Sequence, residues 1–282
     1  MLAARVPSPA DMWHGEVAVR GGTLPIAMAF SGAGEGTPLI LLHGWTLDHR
    51  MWAPQVAGLA CEHFLVMPDR RGCGRATAPP DLAHEAEDVI AIADFLGFER
   101  FALAGLSRGA VVALDVARRY GSRLTALVVS GAPLPALVPR EEVIDLDRYR
   151  ALVRGGDIAG FRAEWARHPL MRTHSPDAAA LAAAMLADYD GRDLLLGQGE
   201  APGLPREALS MLPMPVLSMT GAHDTPWRRA CARALGAVAP RARAIEIPQA
   251  GHLANADNPD GFNAAVAAFL RSAAPLSTKA RS

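Results

Sequence analysis

Cysteine is scarce in this chain: Cys61, Cys73 and Cys231 are an odd number at spacings that match neither a zinc pattern nor a redox pair. That sets aside a disulfide framework and a metal site, and the three read as small apolar residues. Blocks of like charge are missing as well. Lys plus Arg 28 against Asp plus Glu 29 leaves a net charge of -1, so nothing draws the chain electrostatically to nucleic acid or anionic lipid. No apolar run reaches the length of a membrane span, and the N-terminal stretch Met1 to Pro9 is interrupted by prolines before a signal peptide could form. No repeat of fixed period is present, and no low-complexity tract beyond an alanine bias in residues 134–213, which excludes a solenoid. These absences lead us to expect a cytoplasmic protein whose partner is a small-molecule substrate, with no nucleic acid, no membrane, no metal and no cofactor. Self-association as a homodimer is compatible with all of them.

What is present is an alternation of buried strands and helices. Residues 16–30 alternate weakly around Arg20-Gly21-Gly22-Thr23, which predicts an antiparallel hairpin at a sheet edge. Pro38 to Leu42 is a continuous apolar run of the kind buried on both faces of a parallel sheet, and it ends in His43-Gly44-Trp45-Thr46. A helix around Met51–Leu59, a strand Phe64–Met67 ending in Asp69-Arg70-Arg71-Gly72-Cys73-Gly74, and a helix His84–Leu96 follow. Further strands read at Phe101–Leu106, Leu124–Val129, Pro215–Met219 and Ala242–Ile247, and a last helix opens at Asn258-Pro259. Residues 134–213 differ: segments 141–153, 158–167 and 177–188 are helix-like, with no convincing strand. The sum is an α/β protein with an eight-stranded, mostly parallel sheet flanked by helices. Residues 1–133 and 214–282 would form its core and 134–213 a helical cap, with 272–282 a frayed tail.

The chemistry starts at Gly105-Leu106-Ser107-Arg108-Gly109. A serine forced onto a strand-to-helix turn adopts strained backbone angles, and the residues two before and two after it must lack side chains. Amides at the start of the following helix would then face negative charge developing on a substrate oxygen. Ser107 needs a base, and the base needs a carboxylate to hold its tautomer. His252, after Gly251 at the end of the last strand, can reach the sheet edge that presents Ser107, whereas His168 and His174 fall in the cap and His223 reads as a loop residue. Asp224 supplies the carboxylate; Asp257 is read instead as part of the start of the last helix. The oxyanion donors would be the backbone amides of Trp45 and Arg108. His43 is expected to have a structural hydrogen-bonding role, and Asp69 and Arg70 to form a turn-stabilising ion pair.

His43-Gly44-Trp45, Asp69 to Gly74, Gly105 to Gly109, Gly221-Ala-His-Asp224 and Gly251-His252 followed by Asn258-Pro259 together resemble the α/β-hydrolase superfamily along nearly the whole chain. The resemblance implies the α/β-hydrolase fold, a Ser107-His252-Asp224 triad and a helical cap inserted after the sixth strand. Within the superfamily the chain is most similar to small bacterial esterases and enol-lactonases, which implies cleavage of a carboxylic ester or lactone through an acyl-enzyme. Arg108 departs from the methionine or glutamine that many members carry there. Dehalogenases and epoxide hydrolases use an aspartate nucleophile, and Ser107 argues against both. Serine-triad C–C bond hydrolases and lyases share every motif, and a ligand-sensing, non-enzymatic member of the fold is a further alternative. In the cap, Trp165, Met171, Met185, Tyr189 and Leu195 are candidates, with Trp45, to line an acyl pocket.

Overall fold

A computed structural model describes residues 12–32 and 36–273. The N-terminal stretch Met1 to Pro9 and residues 274–282 of the expected tail lie outside them, while Ser272 and Ala273 close the last helix. The strands are β1 (Trp13–Val19), β2 (Gly22–Ala29), β3 (Thr37–Leu42), β4 (His63–Pro68), β5 (Phe101–Leu106), β6 (Leu124–Ser130), β7 (Val216–Gly221) and β8 (Ala242–Ile247). They form one sheet in the order β1-β2-β4-β3-β5-β6-β7-β8. β1 pairs antiparallel with β2 and β2 with β4, and all the other pairs are parallel. The chain thus has the α/β-hydrolase fold.

Before β6 come the helices α1 (Ala53–Leu59), α2 (Glu85–Phe95) and α3 (Arg108–Tyr120). Between β6 and β7 come α4 (Leu146–Arg154), α5 (Ile158–Trp165), α6 (Pro176–Asp188), α7 (Arg192–Leu196) and α8 (Arg206–Leu209), with no strand. After β7 follow α9 (Pro226–Val238), α10 (Ala254–Asp257) and α11 (Pro259–Ala273). α9 is not among the elements read from the sequence, although a parallel β7–β8 pair requires a crossover there.

The apolar run of β3 shows why the sheet is buried on both faces. Ile40 and Leu42 pack with α2, α3 and α9 side chains on one face, while Leu39 and Leu41 pack with α1 and α11 on the other. All four are at most 1% exposed, and burying each such side chain is worth roughly 1.5–3 kcal/mol. Segment 141–153 starts its helix later than expected, because Asp145 caps it by accepting from the Arg148 N–H. Leu134, Leu209 and Leu212, from the two ends of 134–213, pack into the sheet's core with α3 and α9, whereas Tyr149, Phe161, Trp165, Tyr189 and Leu194 form a separate aromatic cluster with Trp45. Among the described residues no helix is long and apolar enough to cross a membrane.

The connection leaves β3 to one side, toward β4, and returns to β5 on the other. Strand order therefore reverses at β3/β5, the place where open α/β sheets bind ligands beyond the strands' C-terminal ends.

Candidate active site

Three non-glycine residues among those described have positive φ, and all lie in loops beyond strand C-termini: Thr46 (φ 62) after β3, Ser107 (φ 56) after β5 and Gln249 (φ 55) after β8. Such angles cost on the order of 1–3 kcal/mol and persist only where the surroundings enforce them. At Ser107, with ψ -114, the enforcement is visible. Its N–H donates to the Ser130 carbonyl at 2.8 Å, and its carbonyl accepts from Ala110 and Val111 at the start of α3. A Cβ on Gly105 would come within 2.3 Å of the Gly109 carbonyl oxygen, and one on Gly109 within 2.3 Å of that of Leu42. Both glycines are thus steric requirements of the turn.

His252 and Asp224 are 4% and 5% exposed. His252 Nδ1 lies 2.9 Å from Asp224 Oδ2, and Asp224 Oδ1 accepts from the Thr225 N–H at 2.7 Å. With Nδ1–H donating to the carboxylate, Nε2 carries the lone pair. That Nε2 is buried without a hydrogen-bond partner among the described residues. Gly131, beyond β6, makes this seat: with φ +58, a Cβ there would lie 2.8 Å from His252 Cε1 and 3.3 Å from Asp224 Oδ2. Gly131 is not among the residues singled out from the sequence; the signal available there is a lone glycine directly after a buried strand.

Ser107 and His252 line one cavity of about 470 Å³, together with Gly44, Trp45, Arg108, Trp165 and Met171. The Trp45 and Arg108 amides donate to no protein acceptor among the described residues, and Arg108 is the first residue of α3, where amides lack intrahelical partners. Trp165 Nε1 donates to Thr46 Oγ1 at 2.8 Å, which ties the strained β3 loop to α5. Tyr189, Met185 and Leu195 do not line the cavity. The Tyr189 hydroxyl is held by Asp193, Met185 packs into the sheet's core, and Leu195 is 45% exposed.

Other candidates resolve into supports. His43 is fully buried, its Nδ1 donating to Gly44 O at 2.8 Å and its Nε2 accepting from the Arg70 N–H at 3.0 Å. Burial, followed by the Arg70 charge, pushes its pKa down to about 4, so it is a neutral structural residue. Asp69 and Arg70 do not pair with each other. Neighbouring side chains leave the loop in opposite directions, Asp69 to His49 and the Arg75 N–H, Arg70 bidentate to Glu85. Asp257 departs from the helix-start reading too, because its oxygens accept from the Gly251 N–H and the His174 N–H, joining the His252 loop to the 134–213 segment. His223 stacks on His174 with ring centroids 4.9 Å apart. Asp48, His49 and Asp69 are a grouping of metal-ligating type, within 4.8 Å of one another, but Asp48 is engaged by Arg50 and His49 by Asp69.

The sequence matches the alpha/beta hydrolase family model over residues 39–265. The chain belongs to the alpha/beta hydrolase family. It is 28% identical over 262 residues to a Klebsiella pneumoniae (strain 342) protein named "Putative carbamate hydrolase RutD", covering 87% of this chain and 96% of that one. Two solved structures share the hydrolase's fold. The carboxylesterase CesB from Bacillus subtilis superposes with TM-score 0.77 at 24% identity, over 94% of this chain and 93% of its own. The enol-lactonase from Burkholderia xenovorans LB400 superposes with TM-score 0.75 at 22% identity, over 91% of this chain and all of its own (100%).

Proposed function

We propose that this hydrolase cleaves a carboxylic ester or lactone of a small molecule through an acyl-enzyme on Ser107. His252 Nε2 takes the Ser107 Oγ proton as Oγ attacks the scissile carbonyl carbon, and Asp224 holds the ring and balances the charge it gains. The Trp45 and Arg108 amides receive the negative charge that develops on the carbonyl oxygen. Collapse expels the alcohol, which takes the proton from His252; a water, deprotonated by the same nitrogen, then attacks the acyl carbon, and His252 returns that proton to Ser107 Oγ as the acid leaves. Residues 134–213 serve as a cap over the site, with Trp45, Trp165 and Met171 touching the acyl group. The observation that carries this reading is the partnerless, buried Nε2 of a carboxylate-held histidine on the cavity that a strained, glycine-flanked serine also lines.

A serine-directed phosphonate is expected to label the active protein at Ser107, as read by peptide mapping. A label elsewhere, or full activity in the Ser107→Ala chain, overturns the assignment. A carbamate is the second reading, favoured by the name of the Klebsiella relative. Turnover of carbamates but of no ester or lactone in a substrate panel would decide for it.

A further inference from the structure

The cavity carries a charge that the proposed chemistry does not use. Four arginines line it, Arg108, Arg140, Arg150 and Arg228, and no aspartate or glutamate does. They are not equivalent. Arg228 is spent, bidentate to Glu142 and donating to the Gly131 carbonyl at 2.7 Å. Arg150 bonds Asp147 at 3.1 Å, and Arg140 is exposed, with its guanidinium 5.6 Å from the centre of the Trp227 ring. Arg108 is different again: its side chain is only 20% exposed and its guanidinium lies over Trp45, 5.0 Å from the ring centre.

The Arg108 guanidinium forms one ion pair, with Asp193 Oδ2 at 3.5 Å, and its side chain makes no hydrogen bond among the described residues. The Asp193 carboxylate is already committed to the Trp45 indole, the Tyr189 hydroxyl and the Gln198 amide. A guanidinium has five N–H donors in a planar fork, and donors on a side chain that is four-fifths buried are costly to leave without acceptors. An incoming carboxylate matches that fork bidentately.

We infer that Arg108 binds a carboxylate of the substrate, so that the site takes monoesters or lactones of dicarboxylic acids in preference to neutral esters. The inference rests on the hydrolytic reading above and deepens it. Arg108 directly follows Ser107 and lines the same cavity, so a short spacer between carboxylate and scissile carbonyl, such as the three methylenes of glutarate, is the one to test first.

The test compares kcat/KM for phenyl pentanoate and for the monophenyl ester of glutaric acid, the same chain length with and without the charge. The wild type is expected to favour the glutarate ester about 10- to 100-fold, the range of one charge-assisted hydrogen-bonded pair. Arg108→Met should bring the ratio close to one, and Arg108→Lys should keep part of it. Using the ratio cancels any change at the Arg108 amide common to both esters. A wild type that cleaves phenyl pentanoate without preferring the anion, or an Arg108→Met chain that keeps the preference, overturns this inference and leaves the hydrolase reading standing. A wild type that cleaves neither ester overturns both. Should Arg108→Met not fold, competition on the wild type decides: glutarate should inhibit phenyl pentanoate cleavage at least tenfold more strongly than pentanoate does, and equal inhibition refutes the proposal.

Discussion

The loops at the ends of β5, β7 and β8 hold Ser107, Asp224 and His252 by backbone devices, whereas the helices between β6 and β7 hold their cavity-lining side chains by packing. Around Ser107 and His252 the position of each atom follows from a glycine that nothing can replace, a carbonyl at hydrogen-bond distance, or a single carboxylate. In the helical segment Trp165 meets Trp45 edge-on at 4.7 Å and Tyr149 edge-on at 5.9 Å and stacks on His168 at 4.6 Å, so its place depends on several neighbours at once. Backbone devices fix reacting atoms tightly, because a hydrogen bond or a steric wall tolerates little displacement. Aromatic packing gives a wall whose shape can change by one side chain without moving Ser107. The first arrangement suits chemistry and the second suits choice among substrates.

The sharpest break in that comparison is on the strand-end side. His252→Ala should reduce turnover by on the order of 10^4 to 10^6, and Asp224→Asn by about 10^4 through the wrong tautomer. His223→Ala, one residue from Asp224 but stacked on His174, should cost a few-fold at most. Measured at saturating ester, a dead His223→Ala chain beside an active His252→Ala chain would show that the assignment is reversed.

A smaller effect, in stability, separates His43 from the proposed catalytic pair. Its folded value of about 4 lies below the ordinary 6.5, so as the pH falls the unfolded chain takes up the proton first. Its contribution is complete above about pH 6.5, is lost as the pH falls from there to about 4, and changes no further below. The loss amounts to about 3 kcal/mol over that window. Denaturant unfolding of the wild type and of His43→Gln at several pH values should show the substituted chain less stable at pH 7 but flatter between 6.5 and 4. His63, whose value burial also lowers, is common to both chains and cancels in the difference. Parallel curves would show that His43 is not held neutral by the fold.

The two regions also differed in how far the sequence revealed them. Continuous apolar runs ending in glycine give the strands and their loops, because a strand buried on both faces has to be apolar throughout. The proposed Ser107 and Asp224 sit beyond such ends; β8 carries Arg243 and Glu246, so the proposal of His252 rests on its place after the last strand and on the order Ser, Asp, His along the chain. Partners across the fold were not legible. Asp69 and Arg70 are adjacent yet bond to His49 and Glu85, and nothing local to Asp257 indicates that it joins Gly251 to His174. In the helical segment the periodicity indicates α4, α5 and α6 but neither the short α7 and α8 nor which face meets the cavity. Trp165 and Met171 line it, whereas Tyr189, with the same aromatic character, turns its hydroxyl to Asp193.

The smallest effect tests the packing side. Trp165 is 3% exposed, lines the cavity and donates from Nε1 to Thr46 Oγ1, so it belongs to the wall and also to the support of the β3 loop. Trp165→Phe keeps a ring in the aromatic cluster but removes that hydrogen bond and part of the ring's volume. If the wall selects by space, the freed volume should favour longer acyl chains: a difference of one methylene in a hydrophobic pocket is worth about tenfold or somewhat more, and the shorter ring frees less than a whole residue's volume. Across phenyl esters of increasing acyl length, the ratio of long-chain to short-chain kcat/KM should rise by about three- to tenfold, while the shortest ester loses less than that. A uniform loss at every length would mean that Trp165 acts through Thr46 and the neighbouring Trp45 amide, which would move it from the packing side of the comparison to the backbone side. Unchanged ratios with unchanged rates would remove it from the acyl wall.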